Sequence, residues 1–295
     1  MKLDGKTLRH AAEKYRIDHG AGFHLNDINP DDDGKEKMVD HADELLQKSL
    51  EILSGLQEKL YAQDRYSVLL IFQAMDAAGK DGTIKHVMSG INPQGCRVTS
   101  FKTPSTLELN HDFLWRASVA LPERGQIGIF NRSYYEEVLV VRVHHELLEH
   151  ERVPEEALGK HLWRDRFEDI NAYEKYLSRN GTIIRKFFLH LSKGEQKKRF
   201  LARLDAPDKN WKFSEADLKE RAYWDDYQRA YEKMIRATAT RHAPWYVVPA
   251  DHKKFTHLVV AGALIETLES LKLEFPAVPP AQKKVLAKAR QLLGE

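Results

Sequence analysis

Apolar residues return along this chain in two alternating rhythms. Val39, Ala42, Leu46, Leu50, Leu53, Leu56 and Leu60 recur every three or four positions, which places them on one face of a helix long enough to cover a core. Val68-Leu69-Leu70-Ile71-Phe72 is an unbroken apolar run, the pattern of a strand buried on both faces. Four further short runs read as strands: Arg97 to Phe101, Ile127-Gly128-Ile129-Phe130, Ile183 to Leu189, and Trp245-Tyr246-Val247-Val248. Helical stretches separate them. One runs from the loop Gly79 to Gly82 to about Met88. A second opens at Thr103-Pro104-Ser105, carries Leu107, Phe113, Leu114 and Trp115, and stops before Pro122. A last one, rich in Leu and Val, follows the fifth strand. Strand and helix taking turns predicts an α/β fold, a parallel sheet flanked by helices.

Three regions depart from this alternation. Residues 1–35 are polar and punctuated, with Asp31-Asp32-Asp33-Gly34 as a loop or solvated arm. Residues 193–241 contain no strand signal and read as two helices around the loop Asp205-Ala206-Pro207-Asp208-Lys209-Asn210-Trp211-Lys212. Beyond Pro276, Pro279-Pro280 leads into a short Lys-rich helix. The expected layout is an arm over 1–35, a main domain over 36–276 with a helical insertion at about 193–241, and a tail over 277–295.

Composition narrows the class. Of 295 residues 42% are apolar, enough for a sizeable core, and 31% are charged. The net charge of +2 is far from the strongly basic balance of a chain that coats nucleic acid, so any anionic partner is met by a local patch. No nucleic acid partner is expected. Cys96 is the sole cysteine, which rules out an intramolecular disulfide and a Cys-rich metal site. The N-terminus lacks a leader's apolar core, and no run approaches the ~18 apolar residues of a membrane span. A cytoplasmic protein with no membrane partner is the expectation, as is self-association into a homo-oligomer. Among 14 histidines no H-x-x-x-H or H-E-x-x-H spacing occurs. His144-His145 read as surface or helix-C-terminal residues, Val138 to Val143 as core helix, and Trp163, Trp224 and Tyr227 as packing residues.

The chemistry gathers at strand ends. Gln73-Ala74-Met75-Asp76-Ala77-Ala78-Gly79-Lys80-Asp81-Gly82-Thr83 follows a buried strand and opens a helix, where a phosphate-binding loop belongs. Small residues (Ala77, Ala78, Gly79, Gly82) let backbone amides approach phosphate, the helix N-terminus favours an anion, and Lys80 reaches the terminal phosphates. The match to G-x-x-x-x-G-K-S/T is imperfect. Ala74 replaces the first Gly and Asp81 the hydroxyl residue, so Thr83 or a carboxylate takes over magnesium binding. Asp76 and Asp81 would repel phosphate unless a metal lies between. The alternative is a plain strand-to-helix turn with Asp81 near a helix N-terminus.

Asn131-Arg132-Ser133-Tyr134-Tyr135-Glu136-Glu137 ends the third strand and should face the same crevice. Arg132 suits bidentate phosphate binding and Glu136 suits magnesium, while Asn131 stands where many phosphate-loop enzymes carry a carboxylate. Asn131 and Ser133 also suit a helix cap. In the insertion, Arg199 and Arg203 share a helix face, with Lys193, Lys197, Lys198, Lys209 and Lys212 nearby. Such a segment can act as a lid that closes on substrates and supplies cations, or can be a solvated face.

Taken together, Met75 to Thr83, Phe130 to Glu136, Asp208-Lys209-Asn210-Trp211-Lys212-Phe213-Ser214 and Ala243-Pro244-Trp245 resemble family-2 polyphosphate kinases, in order, from about Lys35 to Pro276. The resemblance implies a thymidylate-kinase-like P-loop fold with a helical lid. It implies magnesium (Mg2+), a polyphosphate chain in a basic channel, and reversible transfer of its terminal phosphoryl group to nucleoside mono- and diphosphates. Asp76, Lys80, Asp81, Arg132 and Glu136 match positions tied to catalysis, metal or phosphate. Asn131 with Glu136 resembles the class III type, which accepts both AMP and ADP. The expected roles follow: magnesium near Asp76 and Glu136, charge neutralisation by Lys80 and Arg132, and polyphosphate held by lid cations such as Arg199, Arg203, Lys209 and Lys212. Two other readings stay open, an ATP-dependent nucleotide kinase and a non-catalytic polyphosphate- or nucleic-acid-binding module.

Overall fold

In a computed structural model of the chain, residues 5–34, 40–208 and 210–294 are described, apart from the side chains of Lys6 and Lys212. Six strands form one sheet: β1 (Arg16–Ile17), β2 (Ser67–Ala74), β3 (Cys96–Ser100), β4 (Ile127–Asn131), β5 (Thr182–His190) and β6 (Trp245–Pro249). Across the sheet they run β1-β6-β5-β2-β4-β3. All neighbours are parallel except β1, which pairs antiparallel with β6. The helices are α1 (Gly5–Glu13), α2 (Ala42–Gln63), α3 (Lys80–Val87), α4 (Thr106–Leu109), α5 (Trp115–Ser118), α6 (Val140–Val143), α7 (Leu162–Arg179), α8 (Lys193–Leu204), α9 (Glu215–Ala222), α10 (Trp224–Thr238), α11 (Lys253–Ser270) and α12 (Pro280–Leu292).

Every residue of β2 is buried, and alternation splits its side chains between two cores. Val68, Leu70 and Phe72 join α1, α2, α3 and α11 on one face. Leu69 and Ile71 join α7, α10 and the turn over Tyr134–Val138 on the other. The five predicted strands all form, and β1 is the addition. The face α2 buries is Ala42, Leu45, Ser49, Leu53, Gln57 and Leu60, with Leu46 and Leu56 at its margin, and Val39 lies outside the described residues.

Three expectations are corrected. The residues before Lys35 are not a solvated arm throughout, because α1 lies against α11 and buries Leu8 and Ala12, and Tyr15 just beyond it is buried against Phe255. The approach is close enough that a Cβ on Gly262 would sit 2.2 Å from the Leu8 carbonyl oxygen. The helix expected after Thr103 breaks in two. Ser105 caps α4 in a box with Glu108, and Asp112 then accepts from the Leu114 N–H at 2.9 Å and turns the chain. The insertion at 193–241 is only partly free-standing. Trp224, Tyr227, Ala230, Tyr231, Met234 and Ile235 of α10 are buried in the second core, which fits the packing role read for Trp224 and Tyr227. The surface of Trp211 is 77% exposed, and its indole Nε1 donates to the Asp208 carbonyl at 3.0 Å.

Candidate active site

Strand order reverses at β2. The chain leaves β2 toward β3 on one side, and after β4 it crosses to β5 on the other. Such a reversal opens a crevice beyond the carboxyl ends of the strands. Four segments meet there: Asp76 to Lys80 after β2, Arg132 to Glu136 after β4, Ser192 after β5, and Ala250-Asp251 after β6.

The loop after β2 turns sharply. Ala77 sits at φ 65° and Gly79 at φ 100°, both in the left-handed region, and Gly79 caps α3. For Ala77 this conformation is strained. The Lys80 ammonium folds back and donates to the Ala74 carbonyl at 3.0 Å. Burial and the neighbouring Arg132 guanidinium push its pKa down to about 8, against the pull of Asp76, Glu136 and Asp81. Asn131 donates from Nδ2 to Asp81 Oδ1 at 2.6 Å, which ties the end of β4 to the first turn of α3. Thr83, in the first turn of α3, is 2% exposed.

Arg132 holds the centre. Its own φ is 63°, and its N–H donates to the Phe72 carbonyl at 3.0 Å. From that bend its guanidinium donates to Asp76 Oδ1 at 3.1 Å and to Glu136 Oε2 at 3.0 Å. Glu136 and Asp76 hold the guanidinium firmly protonated. Ser133 caps the following 3₁₀ turn by accepting from the Tyr135 N–H. Oriented with its nitrogen toward Glu136, the Gln73 amide donates to Oε1 at 2.8 Å, and its oxygen accepts from the Ser133 hydroxyl and N–H, each at 3.1 Å. Below the turn, the Tyr134 and Tyr135 hydroxyls donate to Glu174 Oε1 at 2.9 and 2.7 Å, and Lys186 donates to Glu174 Oε2 at 2.7 Å in full burial.

Behind the loop, Arg199 uses all five of its N–H groups on protein. It donates to the carbonyls of Ala77 (3.1 Å), Ala78 (2.9 Å), Ala250 (2.6 Å) and Asp251 (3.0 Å), and to Glu195 Oε1 (2.9 Å). One turn earlier, Gln196 donates to the Asp76 carbonyl at 2.9 Å and accepts from Arg221 of α9 at 2.6 Å. Asp217 of α9 lies 3.8 Å from Arg203. Burial and the nearby Asp76 raise its pKa.

A family model for polyphosphate kinase 2 matches residues 35–276. The chain belongs to the polyphosphate kinase 2 family. It is 56% identical over 294 residues, 99% of each chain, to an ADP-polyphosphate phosphotransferase of Rhodopseudomonas palustris. It is 44% identical to an AMP/ADP-polyphosphate phosphotransferase of Meiothermus ruber, over 93% of this chain and 99% of that one. A crystal structure of polyphosphate kinase 2 from Arthrobacter aurescens superposes with a TM-score of 0.85 at 40% identity, covering 95% and 96% of the two chains.

Most of the residues singled out from the sequence meet at the crevice. Asp76, Arg132 and Glu136 are in direct contact, Asp81 and Asn131 are paired beside them, and the Ala77-Ala78-Gly79-Lys80 loop and Gly82 adjoin them. Arg199 is the correction. It is buried behind the loop with no donor left for a phosphate, so it clasps the loop and does not line a channel. Arg203 faces Asp217. Lys209 lies outside the described residues, and so does the side chain of Lys212. The sequence reading passed over the roles of Gln73, Gln196, Asp217 and Arg221. Gln73 alone left a signal, a polar residue closing an apolar strand.

Beside the crevice a cavity of about 1160 Å³ is lined by Arg132, Glu136, Phe101, Arg116, Val140 and Arg166, among others. Its wall holds Glu137, whose pKa burial and neighbouring Glu151 push up to about 8. Among the described residues, no group of three or more His, Cys, Asp or Glu is placed to hold a metal ion. No helix among them is long and apolar enough to cross a membrane.

Proposed function

We propose that this chain transfers the terminal phosphoryl group of inorganic polyphosphate to AMP and ADP, reversibly, through a thymidylate-kinase-like P-loop with a helical lid. One observation carries the reading. Arg132 joins Asp76 from one strand end to Glu136 from the next, at 3.1 and 3.0 Å, beside the Lys80 ammonium. Such a cluster of paired carboxylates and cations suits a polyanion accompanied by a metal.

In transfer, an acceptor phosphate oxygen attacks the terminal phosphorus of polyphosphate. The bridging P–O bond breaks, and the shortened chain leaves with the electron pair. Positioning and charge stabilisation supply most of the rate. Lys80 and Arg132 neutralise charge on the moving group, and the first-turn N–H groups of α3 cradle it. The hard oxygens of Asp76 and Glu136 fit magnesium, which asks few ligands of a protein and takes the rest from water and phosphate. When bound it would offset charge on the phosphates. The cavity beside Arg132 has the size of a nucleotide site and is the proposed place of the acceptor. The helical insertion at about 193–241, with Arg203, Lys209 and Lys212, is the proposed lid that excludes water.

The relatives' names support the donor and divide over the acceptor. The Meiothermus protein's name includes AMP and ADP, and the Rhodopseudomonas protein's name gives ADP. Asn131 with Glu136 favours both acceptors. Work in the cytoplasm as a homo-oligomer completes the proposal. The test is to incubate the protein with magnesium and polyphosphate plus AMP, or plus ADP, and to follow ADP and ATP by chromatography. Products from both acceptors are expected. Turnover of ADP alone would restrict the acceptor. Faster turnover with ATP as donor would make it an ordinary nucleotide kinase, and binding without turnover would make it a binding module.

A further inference from the structure

Gln73 is 1% exposed at the end of a strand that is otherwise apolar from Val68 to Phe72. An amide buried without partners costs about 1–3 kcal/mol, so its place there needs a reason. Its oxygen is fixed by Ser133 through two hydrogen bonds at 3.1 Å, and its nitrogen is aimed at Glu136 Oε1 at 2.8 Å. The two oxygens of Glu136 are therefore held from different strand ends, Oε1 by Gln73 beside β2 and Oε2 by Arg132 beside β4.

These two holds differ in kind. Arg132 is partly open to the crevice, with its side chain 39% exposed, and it also grips Asp76. An arriving phosphate competes for its donors, so its contact with Glu136 is the one that loosens in turnover. Gln73 is neutral and enclosed. It orients a carboxylate without cancelling its charge, which a lysine at that place would do, and it has no path to the phosphate. We infer that Gln73 is a positioning residue for transfer, keeping Glu136 aimed while Arg132 turns to the phosphate. This rests on the reading that Glu136 belongs to the transfer machinery.

The experiment is steady-state kinetics with AMP, polyphosphate and magnesium on Gln73→Met, Glu136→Gln and the double variant. Gln73→Met keeps the shape and removes the hydrogen bonds. It should lower kcat about tenfold, in the range seen when a ligand-orienting partner is lost, with KM for both substrates within about twofold. On the Glu136→Gln background the same change should cost less than about twofold, since a residue acting through Glu136 has nothing left to position. Additive losses, or a raised KM at unchanged kcat, would overturn the inference. If Glu136→Gln is impaired while Gln73→Met matches the wild type, only the positioning role falls. If Glu136→Gln is itself fully active, both ideas fall. Should Gln73→Met fail to fold, Ser133→Ala removes one hydrogen bond to the Gln73 oxygen. It should give a smaller loss confined to kcat, again absent on the Glu136→Gln background, and an additive loss there would count against the idea.

Discussion

Replacing Arg199 by Met separates a structural clasp from a substrate contact. The guanidinium links the Ala77-Ala78 turn to Ala250-Asp251 through four carbonyls, with Glu195 fixing its Nε. Hydrogen bonds to a charged group contribute about 1.5–3 kcal/mol each, but they are not additive, and some of the freed carbonyls will reach water. Removing one partner of a buried charged network costs about 3–5 kcal/mol. At about 2 °C per kcal/mol for a chain of this size, the melting midpoint should drop by roughly 6–10 °C. Turnover should fall with it, because the strained Ala77 turn loses its brace. Arg199→Lys, with three donors on a flexible stem, should recover only part of the loss. Scanning fluorimetry and urea unfolding read the stability, and polyphosphate titration reads the KM. A midpoint within about 2 °C of the wild type, together with a raised KM for polyphosphate, would refute the clasp and return Arg199 to the substrate channel.

Four other outcomes are expected. Lys80→Ala should lower turnover by orders of magnitude with the fold intact. In the wild type, kcat/KM should fall about tenfold per unit above pH 8, because the ammonium is charged below its depressed pKa of about 8 and neutral above it; a pH–rate profile in which Lys80→Arg keeps this limb would contradict the assignment. Lys186→Met should destabilise by about 3–5 kcal/mol in chemical denaturation, since it strands the fully buried Glu174, and pairing it with Glu174→Leu should return much of that. Arg221→Ala cuts the link from α9 through Gln196 to the Asp76 backbone. Polyphosphate loss to water should then rise relative to transfer to AMP, and an unchanged ratio would show that this link does not hold the lid.

The chain's own patterning carried the five parallel strands, because an apolar run such as Val68 to Phe72 needs cover on both faces wherever it lies. It also placed Asp76, Lys80, Arg132 and Glu136 at strand ends, since the loop after a buried strand is where small residues and charges break the hydrophobic rhythm. Residues 5–34 were misread because Leu8, Ala12 and Tyr15 are too few to outweigh their polar neighbours, and only the waiting face of α11 makes them core. Arg199 was misread for the converse reason. A surface cation and a buried one look alike in a helix of charged residues, and the difference lies in four carbonyls contributed by two distant loops. The hold of Gln73 on Glu136 spans β2 and β4, neighbours in the sheet but far apart in the chain. Local pattern fixes which segments bury themselves, whereas which polar groups find one another depends on strand order, a property of the folded sheet alone.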